Sequence, residues 1–343
     1  MLAKRDFGDG ITLWRITNRS GAYIEVMNYG AVLHSVFMPD RQGRLEDVIL
    51  GARDAAAAKG FCLSGMVVGR CANRIVDGRF TIGDTVFQLD KNERGKHTLH
   101  SAGGNYGTKL FALAGETEDS VTLYYHDDGR AGFVSQAEVF VTYRLSEDNE
   151  VRLTYHITPD GDTVVNPTNH AYFNLSGNAS RQVLDTVLKL NAATFTPKGS
   201  QTNIPEGDYA FVAGTPFDFR EGRTLGENLS PDPLGLLTGD PAHPQYDDSI
   251  VLSGAGWRQA AVALDPAGGR RMEVWTDLPG VQFYTPYLKN PIPNKYGLIS
   301  GYCAFCLETQ FYPNAINCPT YPSPLCRAGE SFVSETAYRF SVE

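Results

Sequence analysis

The sequence predicts an all-β protein, organised as a large antiparallel β-sandwich. Apolar and polar residues alternate along many short segments, and the 35 glycines and 19 prolines lie largely between them. Helical periodicity is scarce. Strands that follow one another without intervening helices form antiparallel sheets packed face to face. Because no linker, low-complexity tract or internal repeat interrupts this pattern, we expect one domain spanning residues 1–343.

The clearest predicted element is a hairpin in the first half of the chain. Segments 138–145 and 150–158 alternate apolar and polar residues, and the polar residues 146–149 form the turn. A second, tight hairpin joins 79–82 to 85–89. Further strands are predicted at 11–17, 22–27, 121–126, 186–190, 272–276 and 332–340. Only 55–59 and parts of 221–238 have a non-β pattern.

Charge and composition exclude several classes of protein. The chain has 30 basic and 39 acidic residues, a net charge of −9, and no dense basic patch. Phosphate backbones require clustered positive charge, so we expect no nucleic-acid partner. The first residues contain no apolar signal-peptide core, and the chain has no uncharged apolar run of 18 residues. We therefore expect a cytoplasmic protein that does not bind membranes, either a monomer or a homodimer.

Four of the six cysteines raise the question of a zinc site. These are Cys303, Cys306, Cys318 and Cys326. Residues 302–307 are predicted to form a buried strand, on which side chains three positions apart face opposite sides. The second Cys-x-x-Cys of a typical zinc site is also missing. We therefore predict reduced core thiols and no metal.

The segment 166–175 carries polar residues that need a reason. As a strand it would have one apolar face and one face with His170, Tyr172 and Asn174. A histidine in a strand is most often structural. Beside a tyrosine and an asparagine, however, it has the aromatic surface and hydrogen-bonding neighbours that a sugar pocket requires.

Further candidates are charged or polar residues at strand ends and in loops. Glu308 is predicted to end a strongly apolar strand, so it is paired, neutralised or functional, or it simply reaches water. Arg74 fits a salt bridge as well as a binding site. His100 precedes flexible glycines, and Asp247 precedes an apolar strand, where it fits an ordinary turn.

Taken together, the motifs at these positions resemble the galactose mutarotase (aldose 1-epimerase) family. They lie at 69–75, 99–104, 169–175, 246–247, 279–285, 307–310, 321–325 and 328–330, in that order. The resemblance implies a large mutarotase-like β-sandwich with an open sugar cleft. It implies that Glu308 is the catalytic base and His170 the acid, and that Arg74, His100 and Asp247 orient sugar hydroxyls. Asn73, Tyr172 and Gln282 lie in the matching motifs and are further candidates.

The chemistry of anomer interconversion requires such a pair. Ring opening removes the proton of the C1 hydroxyl and protonates the ring oxygen, and closure on the other carbonyl face reverses both transfers. One base and one acid suffice, so no cofactor, metal or covalent intermediate is expected. The substrate is a free aldose, with galactose and glucose as the family default.

Three departures from the family pattern leave the sugar open. They lie at 101–111, at 129–134 and at Asp248, in loops that we expect to border the cleft. A pentose, a disaccharide or an unusual hexose therefore remains an alternative.

Other functions would need other residues. A hexose-6-phosphate 1-epimerase would need a basic cluster for the phosphate, which Arg74 alone does not supply. A carbohydrate-binding protein on the same fold would have no use for an acid–base pair. A glycoside hydrolase would need a second catalytic carboxylate opposite Glu308, and a polysaccharide lyase a Tyr/Arg pair in a long groove.

Overall fold

The computed structural model describes residues 1–60, 62–199, 202–229, 232 and 234–343, and strands dominate it. In the first half the strands are β1 Leu2–Gly8, β2 Ile11–Thr17, β3 Tyr23–Met27, β4 Val32–Pro39, β5 Leu45–Asp47, β6 Val67–Val68, β7 Arg74–Ile75, β8 Arg79–Ile82, β9 Thr85–Gln88, β10 Thr98–Leu99, β11 Ala112–Glu116, β12 Ser120–Asp127, β13 Ala137–Leu145, β14 Glu150–Pro159, β15 Thr163–Val164 and β16 Thr168–Asn169.

The second half continues the same pattern. Its strands are β17 Val187–Leu190, β18 Thr194–Thr196, β19 Ala210–Phe211, β20 Arg223–Thr224, β21 Thr238–Asp240, β22 His243–Gln245, β23 Asp247–Val251, β24 Arg258–Leu264, β25 Arg270–Thr276, β26 Gly280–Tyr284, β27 Leu288–Asn294, β28 Gly297–Gly301, β29 Cys306–Gln310, β30 Leu325–Cys326 and β31 Phe332–Val342. The helices are α1 Ala55–Lys59 and short 3₁₀ turns at Val76–Gly78, Ala102–Gly104, Tyr106–Thr108, Val183–Asp185 and Ala315–Asn317.

Three antiparallel sheets make up most of the fold. A nine-stranded sheet has the order β11-β12-β13-β14-β31-β25-β24-β17-β20. One five-stranded sheet runs β1 to β5 in chain order, and the other has the order β19-β18-β23-β26-β29. The prediction of an all-β, antiparallel sandwich is confirmed.

The three sheets bury one shared core. It contains Ile24 of the N-terminal sheet, Val141 and Tyr338 of the nine-stranded sheet, and Phe283 and Leu307 of the second five-stranded sheet. Because side chains alternate along a strand, Gln282 and Tyr284 on either side of Phe283, and Glu308 next to Leu307, face away from this core. That second face carries the candidate site.

Most predicted strands form where the alternation placed them. The hairpin of β13 and β14 pairs Leu145 with Val151, and β8 and β9 form the tight hairpin around Gly83. The non-β segment 55–59 is α1, begun by the Asp54 side chain, which accepts a hydrogen bond from the amide of Ala57.

Two predicted strands are wrong in extent. Only Thr168–Asn169 of 166–175 is a strand, and the rest is held by single bridges from Phe173 to Ile49 and to Phe305. Only the last two residues of the predicted strand 302–307 belong to a strand, because β29 begins at Cys306. Cys303 and Cys306 consequently pack in the same cluster rather than on opposite faces.

The other cysteines of the predicted core set lie elsewhere. Cys318 packs with Tyr312 and Tyr321, whereas Cys326 belongs to the shared core. All six thiols are free. Among the described residues, no helix is long and apolar enough to cross a membrane.

Candidate active site

A small polar pocket of about 200 Å³ lies on the outer face of the second five-stranded sheet. Its lining brings together every residue that the sequence singled out for the site. These residues are Asn73, Arg74, His100, His170, Tyr172, Asp247, Gln282 and Glu308, joined by Leu99 and Tyr284. Leu99 and Tyr284 lie within the sequence motifs, but no chemical feature of the sequence had marked them as lining residues.

The floor of the pocket follows from the strand register. Gln282 of β26 pairs with Glu308 of β29, and Tyr284 pairs with Asp247 of β23. Residues paired in register present their side chains on the same face. The Gln282 side-chain amide donates to Asp247 Oδ1 at 2.7 Å, which fixes both groups.

Glu308 lies in the middle of β29 and does not end it, contrary to the sequence prediction. Its side chain is 2% exposed, so the alternative of a carboxylate that reaches water is excluded. One carboxylate oxygen lies 3.6 Å from His170 Nε2, and the other, Oε2, has no hydrogen-bond partner among the described residues. A buried polar atom without a partner is costly and points to a functional group.

His170 is held in place by its backbone and by aromatic neighbours. Its amide donates to the carbonyl of Met66 at 2.9 Å. The ring of Tyr172 stacks on the imidazole, with centroids 4.8 Å apart and planes at 14°, and Tyr284 meets it edge-on at 6.3 Å. His100 lies at 5.6 Å with its ring inclined by 70°. The imidazole therefore has a defined orientation.

His100 is fixed by the neighbouring Asn73. The short strands β7 and β10 pair, and the His100 amide donates to the carbonyl of Asn73 at 3.0 Å. In return the Asn73 amide donates to His100 Nδ1 at 3.1 Å. Burial holds the pKa of His100 well below its usual value, and the charge of Arg74, with that of His170 when it is protonated, acts in the same direction. Because Nδ1 accepts from Asn73, a neutral His100 carries its proton on Nε2.

Arg74 is held between two carboxylates. Its Nε lies 2.9 Å from both oxygens of Glu93, and its Nη1 lies 3.7 Å from Asp247 Oδ2. The salt bridge that the sequence offered as an alternative thus coexists with a place in the pocket. Glu93 itself was missed, because an acidic residue beside a polar turn carries no sequence signal, although its side chain is only 17% exposed in the structure.

Burial opposes charge on both members of the central pair. It raises the pKa of Glu308 well above its usual value, with Asp247 acting in the same direction and Arg74 against it. It lowers the pKa of His170 to about 4, opposed by a hydrogen bond to the residue's own backbone and by Asp247. Burial therefore favours the neutral form of both groups in the free protein.

The same pair has a thiol neighbour. Ligand atoms of His170, Cys306 and Glu308 lie within 4.8 Å of one another, the one such trio within the described part of the chain. However, Cys306 Sγ lies 3.6 Å from Nδ1, whereas Glu308 lies 3.6 Å from Nε2. The two contacts are made to different nitrogens of the ring, so one ion could not use both of them.

None of the three altered segments lines the pocket, although Ser101 and Asp248 directly follow the lining residues His100 and Asp247. The ten lining residues include none from 101–111 or 129–134. Asp248 belongs to β23 rather than to a loop, and it faces the opposite side from Asp247. There it pairs with Lys198 at 3.0 Å, and burial raises the pKa of Asp248 to about 6.

Comparison with known proteins agrees with this arrangement. A family model described as aldose 1-epimerase matches residues 12–339. Galactose mutarotase of Homo sapiens is 33% identical over 326 residues, covering 93% of this chain and 91% of the human protein. Aldose 1-epimerase of Escherichia coli K12 is 30% identical over 349 residues, covering 98% and 97%.

Solved structures share the fold. An aldose epimerase homologue from C. elegans superposes with a TM-score of 0.85 at 24% identity, covering 96% of this chain and 98% of that one. A galactose 1-epimerase from Lactobacillus acidophilus gives a TM-score of 0.82 at 24% identity, covering 100% and 98%. On the family match and the curated relatives together, this chain belongs to the aldose 1-epimerase family of isomerases.

Proposed function

We propose that the protein interconverts the α and β anomers of a free aldose, with Glu308 as general base and His170 as general acid. The observation that carries this proposal is the 3.6 Å separation of the two groups in one small polar pocket, where Glu308 Oε2 has no described partner. Glu308 would take the proton of the C1 hydroxyl. His170 Nε2 would protonate the ring oxygen, and both transfers reverse after rotation about C1–C2.

The resting pair and the reacting pair hold the same number of protons. Catalysis needs an ionised Glu308 and a charged His170, so one proton must shift between them. Arg74 lowers the pKa of Glu308 and Asp247 raises the pKa of His170, so each favours the reacting arrangement at one partner. A sugar hydroxyl that donates to Oε2 would favour the ionised carboxylate further.

The pocket supports a single sugar ring as the substrate. Its volume of about 200 Å³ is below the roughly 300–1,000 Å³ of typical ligand sites. Tyr172 and Tyr284 offer aromatic surface. The hydroxyls would be oriented by Arg74, His100, Asp247, Asn73 and Gln282. Since the relatives are named galactose mutarotase and aldose 1-epimerase, galactose and glucose are the first sugars to test.

The decisive variant is Glu308→Gln, which keeps the shape of the side chain and removes the base. We expect the enzymatic rate of anomer interconversion, followed by polarimetry on α-glucose and α-galactose, to fall at least about 100-fold. Glu330→Gln, an exposed glutamate in a turn, is the matched control and should keep the wild-type rate. A near-normal rate for Glu308→Gln in a folded protein would exclude this assignment.

The charge of the pocket argues against a hexose 6-phosphate as the substrate. Arg74 is the one Arg or Lys among the lining residues, and Glu93 and Asp247 both offset its charge. A phosphate site needs converging donors with net positive charge. Comparing turnover of glucose with that of glucose 6-phosphate decides between the two substrates.

A sugar-binding protein without catalysis is distinguished by the same polarimetric assay. Such a protein would bind galactose or glucose yet leave the rate at its spontaneous value. The buried pair of Glu308 and His170 favours turnover, because binding alone gains nothing from a carboxylate whose ionisation burial opposes.

A further inference from the structure

Cys306 lies directly behind the imidazole of His170. Its Sγ is 3.6 Å from His170 Nδ1, and its side chain is fully buried. Unlike His170, it does not line the pocket but packs with Leu50 and Leu63. The thiol therefore contacts Nδ1, whereas Glu308 lies nearest to Nε2.

The geometry points to Cys306 as the positioning residue of the catalytic acid, through a sulfur that accepts a hydrogen bond from His170 Nδ1–H and so leaves Nε2 free to face Glu308. This inference rests on the proposed role of His170. Cys306 does not line the pocket, so its influence on the reaction would pass through the imidazole that it contacts.

An acceptor at Nδ1 fits each state of the proposed cycle. When the imidazole is neutral, its proton is on Nδ1 and points to the sulfur, so the lone pair of Nε2 is free to take the proton of Glu308. When the imidazole is charged, the sulfur still accepts from Nδ1–H. After Nε2 has given its proton to the sugar ring oxygen, the remaining proton is again on Nδ1, where the sulfur accepts it.

A carboxylate in the same place would act differently. Its negative charge would stabilise the charged ring and raise the pKa of the histidine. Burial raises the pKa of the Cys306 thiol well above its usual value, so the thiol stays protonated and adds no charge. The ring can then exchange its proton with Glu308 and with the sugar.

Cys303 provides a matched control for substitution. It packs in the same cluster as Cys306, it is 4% exposed, and its sulfur has no hydrogen bond to His170. Cys303→Ala removes the same sulfur atom from the same cluster. A loss caused only by packing should therefore be similar in the two alanine variants.

The kinetic test compares Cys306→Ala, Cys306→Ser and Cys303→Ala by polarimetry. We expect Cys306→Ala to lower kcat about tenfold with little change in KM, because a misoriented acid slows the chemistry more than binding. Cys306→Ser, whose hydroxyl also accepts, should stay within about threefold of wild type. Equal kcat for both alanine variants, or a serine variant as slow as Cys306→Ala, would overturn the inference.

A spectroscopic test reads the histidine without any substrate. In protein carrying isotope-labelled histidine, the His170 ring signals are assigned by loss in His170→Gln. We expect neutral His170 to carry its proton mainly on Nδ1 in wild type and Cys303→Ala, and this fraction to fall in Cys306→Ala. An unchanged fraction would contradict the inference. If Glu308→Gln retained full turnover, the proposed function would fail, whereas this measurement would still report on the thiol.

Discussion

At the scale of single residues, the site depends on two ionisable groups whose charged forms are disfavoured by burial. Glu308 and His170 are both buried, and the pKa shifts of the two groups are opposite in direction. The residue pattern marked both residues as candidates, because a polar residue in an apolar strand stands out, and the family resemblance implied their place in the site. Neither could give their burial, which depends on where β29 begins and on the register of Gln282 opposite Glu308.

The pH dependence of turnover follows from this shared proton. Below about pH 4, His170 gains a proton while Glu308 keeps its own, so no base remains. We expect kcat/KM to stay level through pH 6.5, the usual pKa of histidine, and to fall only near pH 4. Polarimetry corrected for the spontaneous rate measures this. Circular dichroism at each pH separates the loss from unfolding, and an acid limb near 6.5 in folded protein would contradict the prediction.

Glu93 should set the selectivity between neutral and anionic sugars. Glu93→Gln removes one of the two negative partners of Arg74 and leaves its positive charge less offset. We expect kcat/KM for galacturonate relative to galactose to rise about threefold to tenfold at low ionic strength. Polarimetry on both sugars gives this ratio.

The control for charge alone is Asp90→Asn, which removes an exposed carboxylate from the same stretch of chain. It should leave the ratio nearly unchanged, because Asp90 makes no ion pair with Arg74 among the described contacts. Equal shifts in the two variants would mean that overall charge, and not the pairing with Arg74, sets the preference.

At the scale of elements, local hairpins were predictable and long-range segments were not. The hairpins β8–β9 and β13–β14 contain both their alternation and their turn within about twenty residues. The segment after β16 depends instead on bridges from Phe173 to Ile49 and Phe305, which no local pattern encodes. The altered segment 129–134 packs away from the pocket, and no local pattern in the sequence shows this either.

A glycine in that segment is required by a close backbone contact. Gly132 has φ +94°, and a Cβ there would lie 2.1 Å from the carbonyl oxygen of Gln88 in β9. We expect Gly132→Ala to lower the free energy of unfolding by about 2–4 kcal/mol, since it adds a clash to a strained conformation. Denaturant titration measures this value.

Gly83 provides the comparison for strain without a clash. It has φ +58°, and a Cβ there would meet no atom within 4 Å. Gly83→Ala should therefore cost only about 1 kcal/mol. Equal losses for the two variants would show that the contact with Gln88 contributes nothing.

At the scale of the whole molecule, the shared core connects all three large sheets. It contains Trp14 of the N-terminal sheet as well as residues of the nine-stranded sheet. We propose that residues 1–343 unfold as one unit, as the unbroken sequence pattern predicted. The alternation predicted the sheets, but it could not reveal that they bury a common core, because sheet-to-sheet packing leaves no periodic signal.

Tryptophan fluorescence tests whether the sheets unfold together. A Trp14→Phe variant retains only Trp257 and Trp275, which lie at the nine-stranded sheet, and a Trp257→Phe/Trp275→Phe variant retains only Trp14. In each variant we expect the midpoint measured by fluorescence to coincide with the midpoint measured by circular dichroism. Two separated midpoints in either variant would mean that the sheets unfold independently.

The position of β31 has a consequence for the chain during its synthesis. This strand, Phe332–Val342, lies between β14 and β25 in the middle of the nine-stranded sheet, although it is made after every pocket residue. A nascent chain that has emerged only through Gln310 already contains Arg74, His170 and Glu308, yet the sheet behind them is divided in two. Activity should therefore appear late on the ribosome, only after the last strand has been released to join the halves.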